Sequence, residues 1–298
     1  MRNHGKLKSF GGNWTESKLD AFAKYVNAYL TIMNKYRDWY SWELIYFDGF
    51  AGSGNRNTTN ETSELLNDLF KEESINIQDL NVYHGAAERV LKIIQRGFDY
   101  YYFIEKDIDS VRSLKEKLSI YNIPQRRLEF RCDDANSQLI LFAEAMKRNP
   151  KRKALVLLDP FGMQVEWNVI KQLEETNTDL WILIPTGVIV NRLLCKNGTL
   201  QYPEKLTSFF GLDEDYLRNF FYKKEIEQTI FGEIETINKV SKPIQKIAEL
   251  YIQQLKSIFP YVTEKPLVLY NSKNNPIFHF AFASNNKNAV KIAKSIIG

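Results

Sequence analysis

Short apolar runs alternating with helically spaced segments constrain this chain more than any other feature of its sequence. Leu44-Ile45-Tyr46-Phe47-Asp48, Tyr100–Glu105, Leu128–Cys132, Ala154–Asp159 and Leu180–Pro185 each have the length and composition of a buried strand. Helical spacing occupies residues 14–40 ahead of the first run, where Leu19, Phe22, Ala23, Val26, Tyr29, Leu30 and Met33 fall on one face. It returns in Ala86–Arg96, Ile108–Leu118, Asn136–Lys147 and Trp167–Glu175. A strand that is apolar on both faces needs cover on both, and helical crossovers supply it. The alternation therefore predicts an α/β fold with a mostly parallel sheet of βαβ units.

The later part of the chain is less regular. An amphipathic helix is expected over Ile244–Phe259, and two strands, Leu267–Tyr270 and Ile277–Ala283, flank the turn-rich residues 271–275. A last helix, Lys287–Ile297, closes the chain, so one antiparallel strand joins the sheet late. Residues 55–80 are polar, with a weak helix at Glu64–Lys71, and read as an exposed insertion. Residues 187–242 read as a second, helical insertion within a single domain spanning 1–298. A length of 298 residues fits one large domain of that kind.

No apolar run reaches the roughly 18 residues that cross a bilayer, and the first residues lack the apolar core of a secretory signal. Cys132 and Cys195 are too few for a disulfide framework, and no Cys/His cluster has zinc spacing, so no metal site and a cytoplasmic setting are expected. The net charge of +4 permits a polyanionic partner without requiring one.

The chemistry is concentrated where the strands end. After the first strand come Asp48 and a glycine turn, Gly49-Phe50-Ala51-Gly52-Ser53-Gly54, in which backbone can approach a ligand closely. The second strand ends in Glu105, followed by Lys106, and an acid there can accept both hydroxyls of a ribose. Asp133, Asp134 and Ala135 follow the third strand, where an acid can accept a bond from an adenine amine. The fourth leads into Asp159-Pro160-Phe161-Gly162. Each acid alone is equally a cap; four in register mark a nucleoside site. A dinucleotide site would open a helix directly on Gly-x-Gly-x-x-Gly. Here the glycine spacing differs and a polar stretch follows, so S-adenosylmethionine, which has no pyrophosphate, fits better than a nicotinamide cofactor.

Asp159-Pro160-Phe161 resembles the Asp-Pro-Pro-aromatic motif of amino-methyltransferases. In that motif the acid and the proline carbonyl accept bonds from the target amine and the aromatic ring stacks on its base, which is catalysis by positioning. Phe161 stands here in place of the second proline and Gly162 in place of the aromatic. Neither cysteine lies in the proline-flanked loop that base-carbon methylation uses.

Longer runs resemble the three-Cys-motif partner protein (TcmP) family. They are residues 48–54, Tyr102–Asp107, Leu158–Trp167, Asp179–Thr186, Asn191–Leu194 and Phe280–Ser284, with Asp-Pro-Phe-Gly-x-x-x-x-Trp the most specific. The resemblance implies a class I, Rossmann-like methyltransferase fold with a seven-stranded sheet. It also implies S-adenosylmethionine as cofactor and a partner protein with a three-cysteine motif, and leaves the substrate open. By position, Gly162, Gln164, Trp167, Thr186, Asn191 and Arg192 are expected to face a substrate, with helix starts and caps as their plain alternative.

Two readings follow. One is a methyltransferase acting on an amine of a nucleic acid or nucleobase-like substrate. The other is a methyltransferase-like module that binds its partner without turnover. His84 and His279 read as surface and packed histidines, and Lys223-Lys224 as a weak basic signal. The basic run Lys147–Lys153 precedes the fourth strand, at the sheet edge opposite the expected site, and its place favours a solvated loop over a nucleic-acid contact.

Overall fold

In the computed structural model the described residues are 13–52, 85–93, 96–229 and 232–298. Helix α1 (Asn13–Tyr40) is followed by β1 (Glu43–Asp48), α2 (Gly85–Leu91), β2 (Tyr100–Glu105), α3 (Ile108–Leu118) and β3 (Arg127–Cys132). Next come α4 (Ala135–Arg148), β4 (Arg152–Leu158), the short α5 (Trp167–Ile170) and β5 (Thr178–Ile184). A π-helical turn, Thr186–Val190, leads through Asn191–Leu193 to α6 (Pro203–Phe210) and α7 (Glu214–Phe221). The chain then forms β6 (Tyr222–Thr229) and β7 (Gly232–Lys239), followed by α8 (Pro243–Ile258). It ends with β8 (Tyr261–Val262), β9 (Leu267–Tyr270), β10 (Pro276–Ser284) and α9 (Lys287–Ile297).

The main sheet runs β3-β2-β1-β4-β5-β10. Its first five strands pair in parallel, and β10 lies antiparallel to β5 with Phe282 opposite Trp181. Both β8 and β9 pair with the other edge of β10, at opposite ends of it, so eight strands fill seven positions. Strand order reverses between β1 and β4, the switch point beyond which open α/β sheets bind ligands. This is a Rossmann-like sheet with an antiparallel strand next to β5.

Burial explains the order. All seven residues of β5 are buried, and so are all but the first of β1, as strands covered on both faces require. Trp181 of β5 is enclosed by Phe280, Phe282, Tyr25 and Phe22, with centroids 4.7 to 6.4 Å away. Each such fully buried apolar side chain contributes roughly 1.5–3 kcal/mol. Helix α1 covers one face through Phe22, Tyr25, Val26 and Tyr29, and α4 covers part of the other through Leu139, Phe142 and Met146.

Two expectations are corrected. The 187–242 insertion is not wholly helical: 222–239 form the two-stranded β6–β7 hairpin, separate from the main sheet. Glu225-Ile226-Glu227 and Glu233-Ile234-Glu235 alternate with the period of a strand across Gly232, and charge on both sides hid that period. The helix expected over Trp167–Glu175 is one α turn followed by a 3₁₀ turn, Lys171–Leu173. Ser53, Gly54, the weak helix at Glu64–Lys71 and His84 lie outside the described residues.

Candidate functional site

The carboxyl ends of the parallel strands gather most of the expected residues. Asp48 ends β1, and Gly49 donates its amide to Leu157 O at 3.0 Å, seating the turn on β4. A Cβ on Gly49 would lie 2.8 Å from Leu158 Cδ2, so a larger residue there would have to displace the end of that buried side chain. Ala51 N bonds Ile104 O at 2.9 Å, which draws the turn across to β2. Gly52 has φ of 56°, a conformation that favours glycine, and its amide donates to Glu105 Oε2 at 3.1 Å. Glu105 Oε1 accepts from Asp107 N at 3.0 Å. Glu105 therefore holds the glycine turn. A carboxylate has about four acceptor positions, so a pair of hydroxyls can still be bound.

Beneath the turn lies a buried electrostatic cluster. Lys18 Nζ sits 2.6 Å from Asp159 Oδ2, with the two side chains only 2% and 3% exposed. The lysine also lies 5.5 Å from the Trp14 ring centroid, and Trp14 packs on Phe278. Asp48 accepts from Tyr46 Oη at 3.0 Å and Phe50 N at 3.2 Å. Burial pushes the Asp48 carboxyl up to about 7; Asp159 adds to the rise, while the two hydrogen bonds and Lys18 oppose it. Lys18 pairs directly with Asp159 and lies close enough to Asp48 to favour its charged form.

Lys18 is the residue sequence reasoning missed. It lies near the start of α1, where a lysine has an ordinary place on the surface, yet it shares the stripe of Trp14, Phe22 and Tyr25 at spacings of three and four. A charge on an apolar stripe was the available signal.

The loop after β4 is clamped to the start of α4. Asn136 Nδ2 donates to Gln164 O at 2.8 Å, and Glu166 N donates to Asn136 Oδ1 at 3.0 Å. Gln164 folds back so that its Oε1 accepts from Phe161 N at 2.9 Å. Pro160 and Gly162 are buried and Phe161 is half-buried. Asp134 caps α4 through the amides of Asn136 and Ser137, with Ala135 buried behind it. Asp133 is exposed and accepts from Gln138 Nε2 at 2.7 Å and Asp134 N; those bonds hold it below the ordinary carboxylate range. Lys106 follows Glu105 and is exposed.

The expected substrate-facing residues divide. Thr186 follows β5 but is fully buried, bonded to His279 Nδ1 at 2.8 Å. Burial holds His279 down at about 4, so this pair is neutral. Trp167 is buried edge-on against Tyr251, and a Cβ on Gly211 would lie 1.9 Å from its ring, so packing occupies it rather than a substrate. Asn191 is engaged through its main-chain oxygen and Oδ1 by Lys239 Nζ at 2.6 and 2.8 Å, which ties the hairpin to the turn after β5. Arg192 is half-buried on the same helical turn.

Chemically, the edge offers hydroxyl-accepting carboxylate at β2, amine-accepting acid after β3, and a buried acid–proline corner after β4. Those donors and acceptors fit a nucleoside cofactor without a pyrophosphate. Among the described residues, no three His, Cys, Asp or Glu side chains are placed to hold a metal ion, and no helix is long and apolar enough to cross a membrane.

No known family's sequence profile matches the chain, and no curated protein does. Among solved structures, protein LPL1258 from Legionella pneumophila is similar at 16% identity and a TM-score of 0.39, covering 93% of this chain and 98% of its own. The Haemophilus influenzae candidate methylase HI0767 is similar at 16% identity and a TM-score of 0.26, covering 70% and 85%. The methyltransferase domain of a bacterial Hen1 protein, CtHen1, is similar at 11% identity and a TM-score of 0.26, covering 76% and 100%. Scores of this size add no weight. The Rossmann-like character of the fold rests on strand order: five parallel strands reversing at β1/β4, then an antiparallel strand beside β5.

Proposed function

We propose that the chain is an S-adenosylmethionine-dependent methyltransferase whose acceptor is an amine of a nucleic acid or nucleobase-like molecule. One observation carries the reading: the glycine turn, Glu105 and the Asp159-Pro160-Phe161-Gly162 corner meet at the β1/β4 switch point. Bound there, S-adenosylmethionine supplies the methyl group. Glu105 and the Gly52 backbone hold the ribose side, and Asp133 or Asp134 accepts from the adenine amine. The Pro160 carbonyl and Asp159 orient the acceptor amine with its lone pair toward the methyl carbon, and Phe161 stacks on the ring that carries it. The proton lost from the amine passes to solvent.

The test is transfer of a tritiated methyl group to RNA, DNA and protein fractions. Label in a nucleic-acid fraction that falls at least a hundredfold with Asp159→Asn, the variant still binding the cofactor, is the expected result. Label confined to protein contradicts the acceptor class.

A second reading has its own observation. Asp159 already holds a buried lysine, so a non-catalytic module could use this ion pair simply to close α1 over the sheet. Such a module would bind a three-cysteine-motif partner and transfer no methyl group to any fraction, with or without that partner.

A further inference from the structure

We propose that the amino edge of the sheet, opposite the candidate site, is a binding surface for single-stranded nucleic acid. The proposal deepens the acceptor class given above, and the binding itself requires no turnover.

Aromatic rings and lysines interleave there. At the end of α1, Trp39 is 86% exposed and Tyr40 53% exposed. Tyr40 stacks on Trp42 at 4.9 Å and 17°, and Tyr36 lies 6.5 Å from Tyr40. Lys153 Nζ sits 5.4 Å from the Trp42 ring centroid, joining this row to the basic run Lys147–Lys153. Lys151 and Trp42 are neighbours through β1: Glu43 N donates to Lys151 O at 3.1 Å. The loop is held in place, since Asn177 Nδ2 donates to Pro150 O and Lys151 N to Asn149 Oδ1. Among the described residues no carboxylate pairs with Lys147, Lys151 or Lys153, whereas Arg148 and Arg152 are matched by Glu144 and Glu43.

From this edge a groove of about 550 Å³ runs between α4 and the uncovered faces of β2 and β3. Tyr100, Tyr102 and Glu129 line it together with Arg127 and Arg131, both paired with Glu129, and Arg152, paired with Glu43; at its other end is Gln138, which bonds Asp133 at the candidate site. Exposed rings take unpaired bases and ammonium groups take phosphates. That combination suits an unstacked strand better than a duplex, whose bases are not available to stack. A strand held at the amino edge has a route along the groove to the carboxyl edge. The basic run therefore acquires a role that its distance from the site had argued against.

The experiment is fluorescence anisotropy of a labelled 20-nucleotide oligouridine, its duplex form and vesicles containing phosphatidylserine, across a salt series. The full chain is expected to bind the single strand in the micromolar range at low salt, more tightly than the duplex. The exposed pair Lys147→Glu/Lys151→Glu should weaken binding at least tenfold and lower the salt slope by about 1.4, two phosphate contacts' worth for a single strand. Trp39→Ala should cost about fivefold or more on the single strand and little on the duplex. Absence of oligonucleotide binding, equal binding by these variants, or binding to vesicles alone overturns the inference. Cofactor titration on the same preparations separates the two claims. Binding of S-adenosylmethionine without oligonucleotide sinks only this surface, and oligonucleotide binding without S-adenosylmethionine sinks only the methyltransferase reading.

Discussion

A lysine ammonium and a carboxylate buried together survive only as a pair, because either one alone would carry the cost of leaving water uncompensated. Lys18→Met therefore strands Asp159, and a loss of about 3–5 kcal/mol is expected. Lys18→Met/Asp159→Asn should recover most of that loss in a denaturant titration, and a single variant as stable as wild type would contradict the pairing. Asp48 gives a pH test. Its carboxyl lies at about 7 in the fold against 3.8 ordinarily, so between those values the native state binds more protons than the unfolded one. Asp48 thus costs stability as pH rises through that window. Asp48→Asn removes the cost, and its melting temperature relative to wild type should become more positive from pH 5 to pH 8. A flat or falling difference would show that burial does not control this group. Of these residues, Asp48 and Asp159 are legible in the sequence because each closes an apolar run. Lys18 is not, because a long polar side chain near a helix start has an ordinary explanation on the surface.

Elements of the parallel sheet were legible because apolar runs and helical spacing both mark them: β2 and α9 fall on their expected bounds, and β1, β4 and β5 within about two residues. The β6–β7 hairpin was not, since it stands off the main sheet and Ile226 and Ile237 are exposed, set among charges that mask an apolar period. The 187–242 insertion docks instead through particular contacts. Lys239 donates to the oxygens of Asn191 and Leu194, and Gly211 leaves room for the Trp167 ring. Gly211 also has φ of 65°, so Gly211→Ala combines a strained backbone with a clash on a buried ring. A loss of about 2–4 kcal/mol is expected by chemical denaturation. A neutral result would mean that the insertion does not pack on α5 as described.

At the scale of the whole molecule, the two edges of one sheet carry different chemistry. The carboxyl edge carries the acids and the glycine turn; the amino edge carries exposed rings and lysines with no carboxylate partner among the described residues. Topology alone separates them, since parallel strands place every carboxyl end on one side. That side was readable from the acids that follow the strands. The pairing of the α1 aromatics with the Lys147–Lys153 loop was not, because they are distant in sequence and meet only when β1 and β4 become neighbours. The central claim is that the β1/β4 switch point is a nucleoside-cofactor site held by Glu105. Isothermal titration of the chain with S-adenosylmethionine tests it most directly. Saturable one-to-one binding, displaced by S-adenosylhomocysteine and weakened at least tenfold in a folded Glu105→Gln variant, is the result predicted. No binding by the folded wild-type chain, or equal binding by Glu105→Gln, would contradict it.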